Sequence, residues 1–239
     1  MHKSYDALFG AYISVRDGHY PFPIDSILAF AFALNLSRDL STKGDLLEIG
    51  VEFGGTALLT AQVLQEGETL HLIDLKRTDR FVASFDKLSA QQQAQISFHE
   101  CSSRSPALED LTKGAYRFIH IDGGHSEKDV HDDAHRFAAL LAPKGIVVFD
   151  DVFEIRWPGV TEAVLEYLVD APIAPFMIVD RKLYCTRKED HAEVLAQARE
   201  MITGLEVFGP LLSWVEPYAG ADTLIAKITP TAETRKLFA

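Results

Sequence analysis

The chain has 239 residues, long enough for one α/β domain with a full core or for two small ones. With 35 acidic residues against 23 basic, the formal charge is −12, and a phosphate-neutralising surface needs a basic face. No nucleic-acid partner is expected, and small-molecule chemistry fits better. At 47% hydrophobic and 24% charged residues the composition is that of a soluble globular protein; the longest apolar stretch, 27–34, is too short to span a bilayer, so no membrane partner is expected.

Residues 1–24 end in Tyr20, Pro21, Phe22 and Pro23. Two prolines forbid a helix there, and the aromatics suit an arm that covers a site or a neighbouring subunit, which admits a homo-oligomer. Asp25 or Ser26 is placed to cap a helix running to about residue 40, and residues 41–44 end it. Strand-like runs at 45–50, 69–74, 95–100, 115–122 and 145–150 then alternate with helical stretches near 56–66, 79–94, 104–113 and 126–142. That alternation predicts an α/β fold with a doubly wound, mostly parallel sheet. After Asp151 come a loop (152–158), a helix (159–169) and two runs, 176–179 and 183–186, that flank Asp180, Arg181 and Lys182 as an antiparallel hairpin, giving seven strands. The tail holds one helix, 191–201, and a Gly/Pro-punctuated remainder without an assignable pattern. The expected organisation is a single domain: an N-terminal arm and helix (1–43), a core (44–187) and a C-terminal extension (188–239). Cys101 and Cys185 make no disulfide framework and are expected as reduced thiols in a cytoplasmic protein; no signal-peptide pattern is present.

The stretch 45–56 is a strand, a tight turn and a helix start, with Glu48, Gly50, Val51, Gly54 and Thr56 at the junction. Its glycines are spaced E-x-G-x-x-x-G. The middle glycine of a dinucleotide fingerprint is missing, and no Lys-Ser/Thr follows as in a phosphate loop. An acid at the strand end repels phosphate and attracts a cation. The alternative is an ordinary turn with helix-packing glycines. Asp74, 24 positions after Gly50, stands where doubly wound folds place an acid that binds a ribose diol, a role shared by nicotinamide and S-adenosylmethionine sites. Cys101 and Ser102 follow the third strand, on the adenine side.

Ligands bind beyond the carboxyl ends of such strands. Asp122, Gly123, Gly124 and His125 follow the fourth run, and Asp150 and Asp151 close the fifth. Adjacent strands would bring the three carboxylates to one edge, where they repel unless protonated or bound to a hard cation such as magnesium. The alternative has Asp151 capping the next helix or pairing with Arg156. His131 and His135 mimic a zinc helix without its glutamate or a third ligand, and read as a helix flank. His120, inside a strand, reads as packed. Trp157 and Phe153 suit either stacking on a substrate or covering the core.

Taken together, E-I-G-V-x-x-G-G, I-D-G-x-H-S, V-x-F-D-D and W-P-G-V resemble class I S-adenosylmethionine-dependent methyltransferases, in particular the metal-dependent O-methyltransferases of macrolide sugars (methyltransferase family 24), over about residues 44–187. The resemblance implies a Rossmann-like sheet closed by an antiparallel hairpin, and S-adenosylmethionine held by Glu48, Gly50, Val51, Gly54, Thr56, Asp74, Cys101, Ser102 and Asp122. It further implies magnesium on Asp122, Asp150 and Asp151, His125 as base beside Asp122, and a small-molecule hydroxyl as acceptor. Val152 departs from the aromatic that often follows the aspartate pair. A nicotinamide-dependent oxidoreductase and a non-catalytic binding module on the same fold are the rival readings.

Overall fold

A computed structural model describes residues 5–15, 23–40 and 43–238. Tyr20, Pro21 and Phe22 of the expected arm, and Ser41 and Thr42 of the expected helix stop, lie outside the described residues. In chain order the elements are α1 (Tyr5–Val15), α2 (Ile24–Asp39), β1 (Asp45–Ile49), α3 (Gly55–Ala61), β2 (Leu70–Asp74), α4 (Asp79–Phe85), α5 (Ala90–Ala94), β3 (Ile96–Glu100), β4 (Tyr116–Ile121), α6 (Glu127–Asp133), β5 (Leu141–Phe149) and α7 (Pro158–Asp170). They continue with β6 (Ile173–Val179), β7 (Lys182–Arg187), α8 (His191–Met201), β8 (Leu211–Tyr218), β9 (Ala221–Ile228) and α9 (Ala232–Phe238). The strands form one sheet in the order β3-β2-β1-β4-β5-β7-β6-β9-β8. β1 to β5 are parallel, β7 runs antiparallel between β5 and β6, and β8 pairs antiparallel with β9. The order reverses between β1 and β4, which is where doubly wound sheets open a crevice.

Both faces of the sheet are covered, so successive strand residues enter opposite cores. Leu46, Phe118 and Val148 pack with α2 residues such as Phe30 and Leu34; Leu47, Ile119 and Val147 pack with Phe137, Val160 and Val164. Nearly all of α2 from Ser26 to Ser37 is buried. α1 and the tail share one aromatic cluster, with the Phe9 ring 5.5 Å from Phe208 and 5.0 Å from Phe238. The buried Arg117 of β4 locks the first core layer. It donates to Glu68 Oε1 and Oε2 (2.5 and 2.8 Å), Ser37 Oγ (2.9 Å) and the Val63 carbonyl (3.3 Å).

Several expected boundaries move. The sheet has nine strands rather than seven, because the unassigned tail folds into the β8–β9 hairpin. Its two-residue turn, Ala219 and Gly220, has both φ angles positive (46° and 83°), a geometry that favours Asn, Asp or Gly at both positions; alanine at the first hid the signal. The 79–94 helix breaks into α4 and α5, each restarted by its own side-chain cap, Thr78 and Ser89. The 104–113 stretch forms only two 3-10 turns, Pro106–Leu108 and Leu111–Lys113. The 126–142 helix stops early, in a π-helical turn at Ala134–Ala138, because Leu141 is recruited as a strand residue opposite Tyr116. α2 starts at Ile24 after Pro23, so Asp25 lies in its first turn instead of capping it.

Candidate active site

The glycine turn after β1 is shaped from inside the protein. Gly50 has φ 84°, and a Cβ there would overlap the Asp122 carbonyl, so this glycine is what lets the ends of β1 and β4 converge. Gly54 (φ 82°) likewise faces the Phe81 ring of α4. The turn is pinned by Asp74, whose Oδ2 accepts the N–H groups of Val51 and Glu52 at 2.7 and 2.9 Å while Oδ1 accepts that of Lys76 at 3.1 Å. A carboxylate offers about four acceptor sites, so with three taken about one remains, enough for one hydroxyl of a diol. Glu48 is only 1% exposed. Its Oε1 accepts the Thr56 hydroxyl at 2.5 Å and lies 3.6 Å from His120 Nδ1.

A cavity of about 650 Å³ opens over the carboxyl ends of β1, β2, β4 and β5. Gly50, Val51, Thr56, Asp74, Cys101 and Ser102 line it on one side, and Asp122, His125, Asp150 and Asp151 on the other. Of the expected site residues only Glu48 and Gly54 stand back from its wall. Glu48 supports the turn through Thr56.

On the acidic side, Ser126 caps α6 through its side chain and so fixes His125 just ahead of the helix. His125 Nε2 lies 3.3 Å from Asp151 Oδ2 and 4.0 Å from Asp122 Oδ1, and the Trp157 ring stacks on the imidazole at 4.8 Å and 20°. Trp157 thus contacts the expected base, while Phe153 meets Tyr218 edge-on. Asp151 adopts φ 55°, rare for a residue with a Cβ, which turns its carboxylate back toward His125. It pairs with Arg181 at 3.1 Å, whereas Arg156 pairs with Glu154 at 3.0 Å. α7 begins after Trp157, so Asp151 does not cap it.

Asp150 is held differently. Its Oδ1 accepts the Asp151 N–H at 2.8 Å and its Oδ2 forms an ion pair with Lys182, itself 2% exposed. His120 Nε2 approaches the same Oδ2 to 3.6 Å, so the strand histidine bridges Glu48 and Asp150 instead of merely filling the core. Burial works against charging His120, but Asp150 and Glu48 outweigh it and push the imidazole up to about 9. Burial also opposes ionisation of Asp150, yet Lys182 and His120 hold its carboxyl well below the usual range. Asp122 goes the other way: desolvation, then repulsion from Asp150, raises it well above the ordinary value. Asp151 is raised for the same two reasons, opposed by Arg181 and His125. Nearby, burial raises Asp133, at the end of α6, to about 6 against a hydrogen bond from Ser103.

Arg181 and Lys182 were not singled out from the sequence. The hairpin expected at 176–186 carried the signal: Arg181 in its turn and Lys182 at the start of β7 meet the two acids past β5, because β7 pairs antiparallel with β5, Phe149 opposite Leu183. Among the described residues, two groups of three side chains have ligand atoms within 4.8 Å of one another, Asp122/His125/Asp151 and His120/Asp122/Asp150. Opposite donors on a small octahedral ion are about 4.2 Å apart, so the first group suits a hard divalent cation. In the second, Asp150 already carries Lys182. His131 and His135 stack at 4.0 Å and belong to neither group.

A family described as "Methyltransferase domain" matches residues 47–152, from the middle of β1 to just beyond the aspartate pair. Solved O-methyltransferases share the fold of this chain. NovP is 18% identical with a TM-score of 0.53, over 72% of this chain and 83% of that one. An O-methyltransferase from Bacillus cereus, solved with S-adenosylhomocysteine, is 14% identical with a TM-score of 0.56, over 76% and 91%. MycE from mycinamycin biosynthesis, solved with magnesium, S-adenosylhomocysteine and mycinamycin VI, is 14% identical with a TM-score of 0.53, over 77% of this chain and 54% of its own. Among curated proteins none matches the sequence significantly. The family match favours the methyltransferase over the nicotinamide reading. No helix among the described residues is long and apolar enough to cross a membrane.

Proposed function

We propose that the chain is an S-adenosylmethionine-dependent O-methyltransferase of a small molecule, a sugar or phenol with two neighbouring oxygens, assisted by magnesium. The observation that carries this reading is that the phosphate-averse glycine turn and the Asp122/His125/Asp151 group open into one cavity. The cofactor would lie along Gly50 and Val51 with its ribose toward Asp74 and its adenine toward Cys101 and Ser102. Thr56 and Glu48 hold that turn from behind. A divalent cation on Asp122 and Asp151 would supply charge that orients the acceptor and acidifies its hydroxyl, and the cofactor would supply the methyl group. His125 accepts the hydroxyl proton, its ring held by Trp157 and by Asp151. Close placement of acceptor and donor then makes the in-line displacement effectively intramolecular. Chain segments 1–43 and 188–239 are read as parts of the same single domain, joined by the aromatic cluster of Phe9, Phe208 and Phe238.

The test is transfer of labelled methyl from S-adenosylmethionine to a panel of vicinal diols and catechols, with magnesium and with excess chelator. Chelator-sensitive transfer is expected. Full turnover in chelator would refute metal assistance, and absence of S-adenosylmethionine binding by calorimetry would refute the cofactor.

A further inference from the structure

Lys182 stands where the sequence pattern places a metal bond. Its ammonium pairs with Asp150 Oδ2, and the other oxygen of that carboxylate accepts the Asp151 N–H at 2.8 Å. Each Asp150 oxygen thus already has a partner in the protein, and the one that would meet a cation carries the Lys182 charge. The arrangement follows from the sheet: Phe149 and Leu183 are register partners in the β5–β7 pair, so Asp150 and Lys182, one step beyond, face each other. The Lys182 side chain is 2% exposed and its ammonium lies 5.9 Å over the Phe30 ring, so it does not swing into water at the cost of a rotamer. Asp122, by contrast, has His125 Nε2 at 4.0 Å, and Asp151 Oδ2 has the same nitrogen at 3.3 Å.

We propose that Lys182 is a built-in cation that keeps Asp150 out of the metal shell, leaving a divalent ion to Asp122 and Asp151 with His125 beside them. This rests on the metal-assisted reading above. Lys182 and Arg181, the latter shared with Glu154 at 2.8 Å, offset part of the charge of the three carboxylates, so the ion is bound more weakly and exchangeably than three free carboxylates would bind it. Lys182 thereby acts as a positioning residue: it sets metal affinity by occupying a ligand.

Manganese is the probe, its binding followed by loss of the free-ion paramagnetic resonance signal and by calorimetry on the full chain. Lys182→Met frees Asp150 as a third oxygen ligand and is expected to tighten manganese binding about tenfold or more. The double variant Asp150→Asn with Lys182→Met keeps the native net charge and is expected to bind within about threefold of the native chain, because no bond to Asp150 is lost. Manganese should also raise the Tm of Lys182→Met more than that of the native chain, and Lys182→Gln serves if the Met variant does not fold. Unchanged or weaker binding by a folded Lys182 variant, or loss of binding in the double variant, would overturn the role of Lys182. If Asp122→Asn still abolishes manganese binding in that case, the metal-assisted reading stands without it. If neither the native chain nor any variant binds manganese, both fall.

Discussion

The two sides of the cavity are built on opposite electrostatic plans. Around β1 and β2 the carboxylates are tied to the turn: Asp74 takes the Val51 and Glu52 N–H groups, and one oxygen of Glu48 takes the Thr56 hydroxyl. Around β4 and β5, Asp122 and Asp151 are pushed toward protonation by their surroundings, and fixed cations balance only part of the charge. The first side is a finished backbone mould whose shape does the selecting. The second is a partly compensated charge cluster that improves when a cation or a proton arrives. Gly50 is the seam between them, since its missing Cβ admits the Asp122 carbonyl.

Perturbing one side at a time separates these plans. The largest expected effect is on the acidic side alone: His125→Ala should lower kcat by about 10²- to 10⁴-fold, the range for loss of a positioned base, while the calorimetric Kd for S-adenosylmethionine stays within about twofold. A matching loss of cofactor affinity would mean that the two sides are not separable. Gly50→Ala attacks the seam and should damage both. A Cβ overlapping backbone at a positive φ costs about 1–3 kcal/mol in strain alone, so the expected outcome is a large drop in Tm together with loss of cofactor and manganese binding. A variant with native Tm would show that the strand ends need not converge so closely.

The smallest effect sharpens the contrast through pH. Asp133 beneath the acidic side is raised from 3.8 to about 6, so the native state holds its proton more tightly than the unfolded chain. Its contribution to stability is therefore full below about pH 4 and falls as pH rises to about 6. Asp133→Asn should stabilise the chain by about 1–3 kcal/mol at pH 7.5 and by nearly nothing at pH 3.5, read from denaturant unfolding at the two pH values. Equal effects at both would place the cause outside this ionisation.

The parallel direction of β1 to β5 was legible because strand-like runs with an acid at or near their ends alternate with stretches patterned as helices. α8 was legible to the residue, since amphipathic spacing and flanking polar residues mark both its ends. The β8–β9 hairpin was not, because a turn that favours glycine or asparagine carries Ala219 at its first position. In the site, sequence alone placed Asp74, Asp122, His125, Asp150 and Asp151 at strand ends, and all of them line one cavity.

Glu48 was placed at the right strand end but its direction was not, since a single acid in a buried strand faces whichever layer the sheet gives it. The pairing of Lys182 with Asp150, the bridge made by His120 and the stacking of Trp157 on His125 also depended on tertiary structure. The physical reason is common to all of these. Local periodicity and turn chemistry determine which element a residue belongs to and which end of it, and here that was enough to assemble the acids. Which charges meet is set by strand order and register across gaps such as the 32 positions from Asp150 to Lys182, which come together one step beyond the Phe149–Leu183 register pair.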